Sequence, residues 1–295
     1  MAYPVRVGDA TVVALSDKHH AVETTFHFPT VPAEAWAPYA DLLTDEGLIP
    51  LNFGAFLVLA AGRVALVDTG WGPLAGPPGR PAGPGRLLDE LAEVGLTPED
   101  VDVVAFTHLH PDHVGWNLVP DGGGGWRPRF RRARYLVPEA DWAHYRSLEE
   151  VHPVIREQAL GLDGLPGLEL VPGDGAVMPS LTGVATPGHT PGHRSFVVES
   201  AGERLFILGD LTHSPVLAEE TSWVNRFDWD PALARTTRER VLERLEHDAT
   251  LVAAGHYPYP SLGRFVRVDG RRRWRPADVR SESRPEPTGR PAGGD

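Results

Sequence analysis

The chain has 295 residues, with 28 Lys and Arg against 40 Asp and Glu for a formal charge of −12, and it has no cysteine. That length can bury a sizeable core as one large domain or two modest ones. The acidic balance argues against a nucleic-acid backbone as partner, because neutralising phosphates takes clustered Lys and Arg, and the absence of thiols excludes a disulfide framework and a thiolate metal site alike.

The start, MAYPVRVGDATVV, lacks the basic and apolar regions of a signal peptide, and no run approaches the ~20 apolar residues of a membrane span. A cytoplasmic protein without a membrane partner is the expectation. Val5–Val7 and Thr11–Leu15 predict a hairpin turning at Gly8-Asp9. Residues 19–50 carry three His, several aromatics and four Pro without a sustained period, so they predict an ordered arm or lid, or a contact surface for a homodimer. FGAFLVLA and RVALVD, joined at Ala61-Gly62, predict a hairpin of buried strands that ends at Asp68.

Gly72–Gly85 reads as a flexible loop, followed by a helix with Leu87, Leu88, Leu91 and Val94 at helical spacing and Gly95 as its C-terminal cap. Thr97–Asp100 predicts one helical turn, and VDVVAF a buried strand leading into Thr107–His113. Asp121–Gly125 is too glycine-rich for regular structure; RARYLV reads as a strand, and PEADWAHYRSL and HPVIREQAL as helical pieces. Together 121–165 resemble a cap-like insertion. A second half is then expected to begin with LELV, TGVAT, SFVVE and RLFIL. Asp230-Pro231 opens the best helix, with Leu233, Val241, Leu242 and Leu245 on one side, and TLVAAGH is a last buried strand. Residues 276–295, with almost no apolar content, are expected to be disordered. Two β-rich halves, each with helices, predict a two-sheet sandwich covered by helices on both sides.

Chemistry concentrates in Thr-His-Leu-His-Pro-Asp-His, where His108, His110, Asp112 and His113 crowd the end of an apolar run. His189, Asp210 and His256 arrive singly, each at the end of a strand-like segment. A lone histidine is more often a core or surface residue, but seven N and O donors in this order exceed one tetrahedral ion and fit two ions sharing one carboxylate. Two cations ~3.5–4 Å apart turn a bridging water into hydroxide near neutral pH and polarise the substrate oxygen, so no protein nucleophile is needed. The donors suit zinc, with cobalt, manganese and iron compatible. His193 reads equally as a support behind the ligands or as a loop residue. His19, His20, His144, His152 and His247 are assigned to surface or helix faces.

Asp68, the His108–His113 cluster, His189, Asp210 and His256, taken in that order, resemble the five motifs of the metallo-β-lactamase-fold hydrolases over residues 1–275. The resemblance implies one α/β domain, an αβ/βα sandwich of two mixed sheets flanked by helices, with a dinuclear site at one edge. It implies that His108, His110 and His189 hold one metal and Asp112, His113 and His256 the other, that Asp210 bridges them, and that Asp68 orients the ligand loop. Flavodiiron proteins are less similar, having a carboxylate where His110 stands. True zinc β-lactamases lack the Asp210 bridge, and glyoxalase II enzymes carry a basic glutathione site in a C-terminal helical region. GDLTH, TPGHTPGH and GHYPYPSLGRFVR are most similar to the branch of methyl parathion hydrolase and the acyl-homoserine lactone lactonases. Those lactonases have tyrosine three residues after the bridging aspartate; His213 stands there in this chain.

The implied activity is cleavage of a small neutral ester or lactone by a metal-bridging hydroxide, with Asp112, Asp210 and His213 in the catalytic machinery. Organophosphate triesters or thioesters are the alternative substrates, and a non-catalytic metal-containing binding or sensing protein is the alternative class. Phe26, Phe28, Trp71, Trp116, Trp223 and Phe227 are the candidate pocket walls, on the argument that large apolar rings suit a neutral substrate.

Overall fold

The computed structural model describes residues 2–73 and 83–278. Most of the loop expected over 72–85, and the tail beyond Asp278, lie outside the described residues. The first sheet runs β1 (Tyr3–Val7), β2 (Ala10–Val22), β3 (Ile49–Ala60), β4 (Arg63–Val67), β5 (Val103–Ala105), β8 (Arg134–Pro138) and β9 (Leu168–Val171) in spatial order. Between β5 and β8 in the chain, β6 (Leu118–Pro120) and β7 (Trp126–Pro128) form a small separate hairpin around the glycine-rich turn. The second sheet runs β10 (Gly175–Met178), β11 (Leu181–Ala185), β12 (Arg194–Ser200), β13 (Glu203–Ile207), β14 (Leu251–Ala253), β15 (Leu262–Val268) and β16 (Arg271–Pro276). Both sheets are mixed. β4, β5, β8 and β9 pair in parallel, as do β13 and β14, while the remaining neighbours are antiparallel.

Strand periodicity explains the layers, because alternate side chains leave opposite faces. On β5, Val103 and Ala105 enter the core between the sheets, whereas Val104 meets the layer outside the first sheet. On β13, Leu205 and Ile207 face inward and Phe206 outward. The outer face of the first sheet is covered by α2 (Leu87–Glu93) and α4 (Glu139–Ser147), through Leu87, Leu91, Trp142 and Tyr145. The outer face of the second is covered by α5 (Pro231–His247), through Leu242 and Leu245. The result is the helix-sheet-sheet-helix sandwich, four layers deep, that the two β-rich halves predict.

Three stretches differ from the sequence reading. The LELV segment, expected to open the second half, pairs as β9 with β8 and closes the first sheet. β8 itself, within 121–165, lies inside that sheet between β5 and β9. In residues 19–50, β2 continues to Val22 against β3. The chain then makes a four-residue helical turn, α1 (Thr24–His27), and a 3-10 segment over Ala33–Leu42. Phe28, Val31, Trp36 and Tyr39 from this arm bury themselves against Ile49, Leu51, Val216 and Leu217. No helix among the described residues is long and apolar enough to cross a membrane.

Candidate metal centre

All the singled-out donors converge on one edge of the sandwich, where strands end. Asp68 follows β4, and Thr107–His113 follow β5; His113 sits in α3 (Pro111–Val114), which starts with proline at a position needing no N–H. His189 comes from the loop between β11 and β12, Asp210 from a 3-10 turn after β13 and His256 from the turn after β14. The first sheet thus delivers one set of donors and the second sheet the other.

Three groups are tight enough to hold an ion, each with donor atoms within 4.8 Å of one another: His108, His110, His189 and Asp210; Asp112, His113 and His256; and Asp210, His213 and His256. The hydrogen-bond partners of the rings show why a cation fits. His113 Nδ1–H donates to Asp68 Oδ2 at 2.8 Å, His189 Nδ1–H to Asp228 Oδ1 at 3.0 Å, and His256 Nδ1–H to the Asn52 carbonyl at 2.9 Å. Thr107 Oγ1 donates to Asp68 Oδ2 at 2.8 Å and so accepts from His108 Nδ1–H at 3.0 Å. With the outer nitrogen of each of these rings engaged as a donor, loss of any inner proton to a bound cation leaves an Nε2 lone pair facing inward. His108 Nε2 and His189 Nε2 each lie 3.0 Å from His110 Nδ1, so three ring nitrogens meet where one proton could satisfy only one pair. Asp210 Oδ1 and His113 Nε2, 3.3 Å apart, are both buried without a hydrogen-bond partner. Buried polar atoms left in this way call for an ion or a water.

Asp210 is the centre of the cluster. Its Oδ2 lies 3.6 Å from His108 Nε2, 3.4 Å from His189 Nε2, 3.1 Å from His256 Nε2 and 3.0 Å from His213 Nε2. Asp112 Oδ2 stands 3.7 Å from His113 Nε2 and 3.5 Å from His256 Nε2. Burial opposes the charge of Asp210, but the imidazoles of His113, His256 and His213 hold its carboxyl well below the usual range. Burial and the His113 ring push His108 well below the ordinary imidazole value, and burial with His189 does the same to His110. Burial also acts against His189, yet Asp210 and Asp228 outweigh it and raise this ring to about 9.

The remaining residues singled out in the sequence divide clearly. His193 stands behind the ligands: its Nδ1–H donates to the Thr186 carbonyl at 2.9 Å and its Nε2 accepts from the Asp210 backbone N–H at 2.8 Å. Gly209, with φ +59°, is required there, because a Cβ would stand 2.6 Å from His193 Nε2 and 2.9 Å from Thr107 Cβ. His213 is stacked on His256 at 5.1 Å and 12°, with Nδ1 buried and unpartnered. Phe26 and Phe227 are 47% and 42% exposed and touch edge to face, and Phe227 reaches to 6.5 Å from His110, so both rim the site.

Phe28 and Trp223 belong instead to the core of the arm with Trp36, and Phe28 has no exposed surface to offer a substrate. Trp71 is buried and meets Phe53, whose ring in turn stands 5.7 Å from His256. Trp116 packs in the core and donates its indole N–H to Asp17 Oδ1 at 2.9 Å.

Besides Asn52 and Thr107, sequence reasoning missed Asp228, Asp141, Asp17 and Trp229. Asp228 orients His189 and is itself held by Arg238 at 3.3 Å. Asp141 on α4, fully buried, accepts from Gly192 N at 2.6 Å, Thr190 Oγ1 at 2.9 Å and Leu109 N at 3.3 Å, so it ties the loop of His110 to that of His189. Asp17 accepts from the backbone N–H groups of Trp71, Gly72 and Leu87 and gathers both ends of the loop after Asp68. Trp229, 52% exposed, adds a third ring near the mouth, and its N–H donates to the His189 carbonyl. Only proximity to Phe227 in the chain could have suggested Asp228 and Trp229.

A family model described as the metallo-beta-lactamase superfamily matches residues 55–256. Among curated proteins, the chain is 29% identical over 176 residues to an N-acyl homoserine lactonase of Bacillus cereus, covering 58% of this chain and 62% of that protein. The chain thus spans about three fifths of the length of the lactonases it matches. It is 30% identical over 217 residues to metallo-beta-lactamase domain-containing protein 1 of Mus musculus, covering 72% and 68%. Among solved structures, AidC, a dizinc quorum-quenching lactonase in complex with a product, superposes with a TM-score of 0.82 at 20% identity, over 94% of this chain and 97% of that one.

Proposed function

The chain belongs to the metallo-beta-lactamase superfamily, and from that premise we propose that it is a hydrolase of small neutral esters or lactones that works with two divalent ions, zinc foremost. In this reading His108, His110 and His189 hold one ion and Asp112, His113 and His256 the other, with Asp210 shared between them. The observation that carries it is the position of Asp210: Oδ2 faces His108 and His189 of one set and His256 of the other, and Oδ1 faces His113. When bound, two cations supply the Lewis acidity that ionises a water near neutral pH and polarises an ester oxygen.

The chain's own groups do the rest. Asp68, Thr107, Asn52 and Asp228 keep the outer ring nitrogens protonated, so that the inner ones stay free as donors. Asp112, whose side chain is 15% exposed, is the carboxylate placed to take a proton from the attacking water. His213 turns Nε2–H to Asp210 and keeps Nδ1 as an acceptor for a hydrogen bond from the substrate. The exposed rings of Phe26, Phe227 and Trp229 suit an apolar acyl group.

The kinship to N-acyl homoserine lactonases supports a lactone as first choice. Phosphotriesters come second, because His213 stands where the similar lactonases carry tyrosine. A panel of lactones, aryl esters, thioesters, β-lactams and phosphotriesters, given to metal-loaded protein, tests the substrate class. Lactones or aryl esters are expected to turn over fastest, and no turnover of either would overturn the reading.

A further inference from the structure

Arg238 of α5 is buried, 1% exposed, and its guanidinium is spread over four acceptors. Nε–H donates to the Leu211 carbonyl at 2.9 Å, Nη1 to the carbonyls of Thr221 at 2.9 Å and Trp223 at 3.2 Å, and Nη2 to Asp228 Oδ2 at 3.3 Å. The two ends of this fork stand behind different candidate ligands. Leu211 directly follows Asp210 in the 3-10 turn, and Asp228 accepts from the outer nitrogen of His189. One side chain thus backs both a ring and a carboxylate whose inner atoms, His189 Nε2 and Asp210 Oδ2, are 3.4 Å apart.

The same helix braces the His189 loop twice more. Thr237 Oγ1 donates to the Pro187 carbonyl at 2.8 Å, and Gly188 lies so close to the first turn of α5 that a Cβ there would stand 2.3 Å from Ala234 N. The other set of donors leans elsewhere, His113 on Asp68 and His256 on the Asn52 carbonyl, and none of the four Arg238 bonds goes to either support. Stability alone does not call for a charge at this position, because apolar side chains of similar volume often serve it as well as a buried ion pair does.

We propose that Arg238 is a positioning residue for one ion of the pair. It locks His189 to Asp210 and so sets the affinity of the site made by His108, His110, His189 and Asp210, while the site of Asp112, His113 and His256 does not depend on it. The planar fork is what this task needs: lysine has three N–H groups at a single point for four acceptors spread around a plane. The inference rests on the two-ion reading, but its test is a binding test that needs no substrate.

Full-length, metal-free chain is titrated with Co2+ and followed by the visible absorption of the bound ion. A His113→Ala background keeps only the first site, and a His110→Ala background keeps only the second. Arg238→Lys, which retains the buried charge opposite Asp228, is expected to weaken Co2+ about tenfold in the first background, the lower end of what loss of an outer partner costs, and less than about threefold in the second. The double variant Arg238→Gln with Asp228→Asn leaves no buried charge unpaired, and it should weaken the first site more than Asp228→Asn alone. A role confined to holding the fold together would instead weaken both sites alike. Equal weakening in both backgrounds, wild-type affinity of Arg238→Lys in the first, or a double variant no weaker than Asp228→Asn would overturn the inference. If the wild-type chain takes up no Co2+, the two-ion reading falls and takes the inference with it. If each background binds one ion and Arg238→Lys weakens both alike, the two-ion reading stands and the inference alone falls.

Discussion

Asp228 accepts from His189, and Asp68 from both His113 and Thr107, so two carboxylates that touch no candidate ion decide which way three imidazoles point. Asp228→Asn removes the charge while keeping the shape. Loss of such a partner costs ten- to a hundred-fold in metal affinity, and that weakening is expected on titration of metal-free Asp228→Asn with zinc. Asp141 supports a pH prediction. Burial, against its hydrogen bonds to Gly192 and Thr190, raises its carboxyl to about 6 from 3.8. The folded state therefore holds more protons than the unfolded one between these values, and this group lowers stability as pH rises through that window. In metal-depleted protein, urea unfolding from pH 4 to 7 should show Asp141→Asn losing part of this slope, about 3 kcal/mol at the most. A parallel slope in wild type and variant would contradict it. The donors themselves were legible in the sequence because His108–His113 are neighbours in the chain. Asp228 and Asp141 were not, since the partners they serve stand 39 and 49 residues away and only folding joins them.

Gly209 and Asp210 occupy a 3-10 turn at the end of β13, held from behind by His193. Alanine at 209 would have to adopt φ +59° and push a methyl against His193 and Thr107. Gly209→Ala is expected to cost about 1–3 kcal/mol in chemical unfolding and to weaken metal binding, because Asp210 moves with the turn. Unchanged affinity would mean that the turn does not position the carboxylate. At this scale the hairpins β1–β2 and β3–β4 were legible because tight turns at Gly8-Asp9 and Ala61-Gly62 separate apolar strands. α5 was legible because Asp230 caps it, accepting from the Leu233 N–H, and proline follows. β16, reading RRRWRP, was hidden by its charge: Arg272 is anchored by Glu246 and Arg271 by Glu219, far off in the chain. β9 was assigned to the wrong half because parallel pairing with β8 spans a crossover that no local pattern announces.

The two halves of the sandwich share one centre: Asp68 and His108–His113 come from the first sheet, and His189, Asp210 and His256 from the second. Arg194 of β12 reinforces the junction from within, donating to the Phe106 carbonyl and the Leu136 carbonyl at 2.9 Å each. An ion held by donors from both sheets links them, so chelation should lower the melting temperature, more steeply as the free metal falls. The measurement that bears most directly on the account is the metal content of purified protein, taken with lactone turnover as zinc is removed and returned, for wild type and Asp210→Asn. The account predicts close to two ions per wild-type chain, turnover lost with the metal and regained with it, and a folded Asp210→Asn that binds less and hydrolyses nothing. A chain that holds no metal with zinc available, or an Asp210→Asn variant as active as wild type, would contradict it.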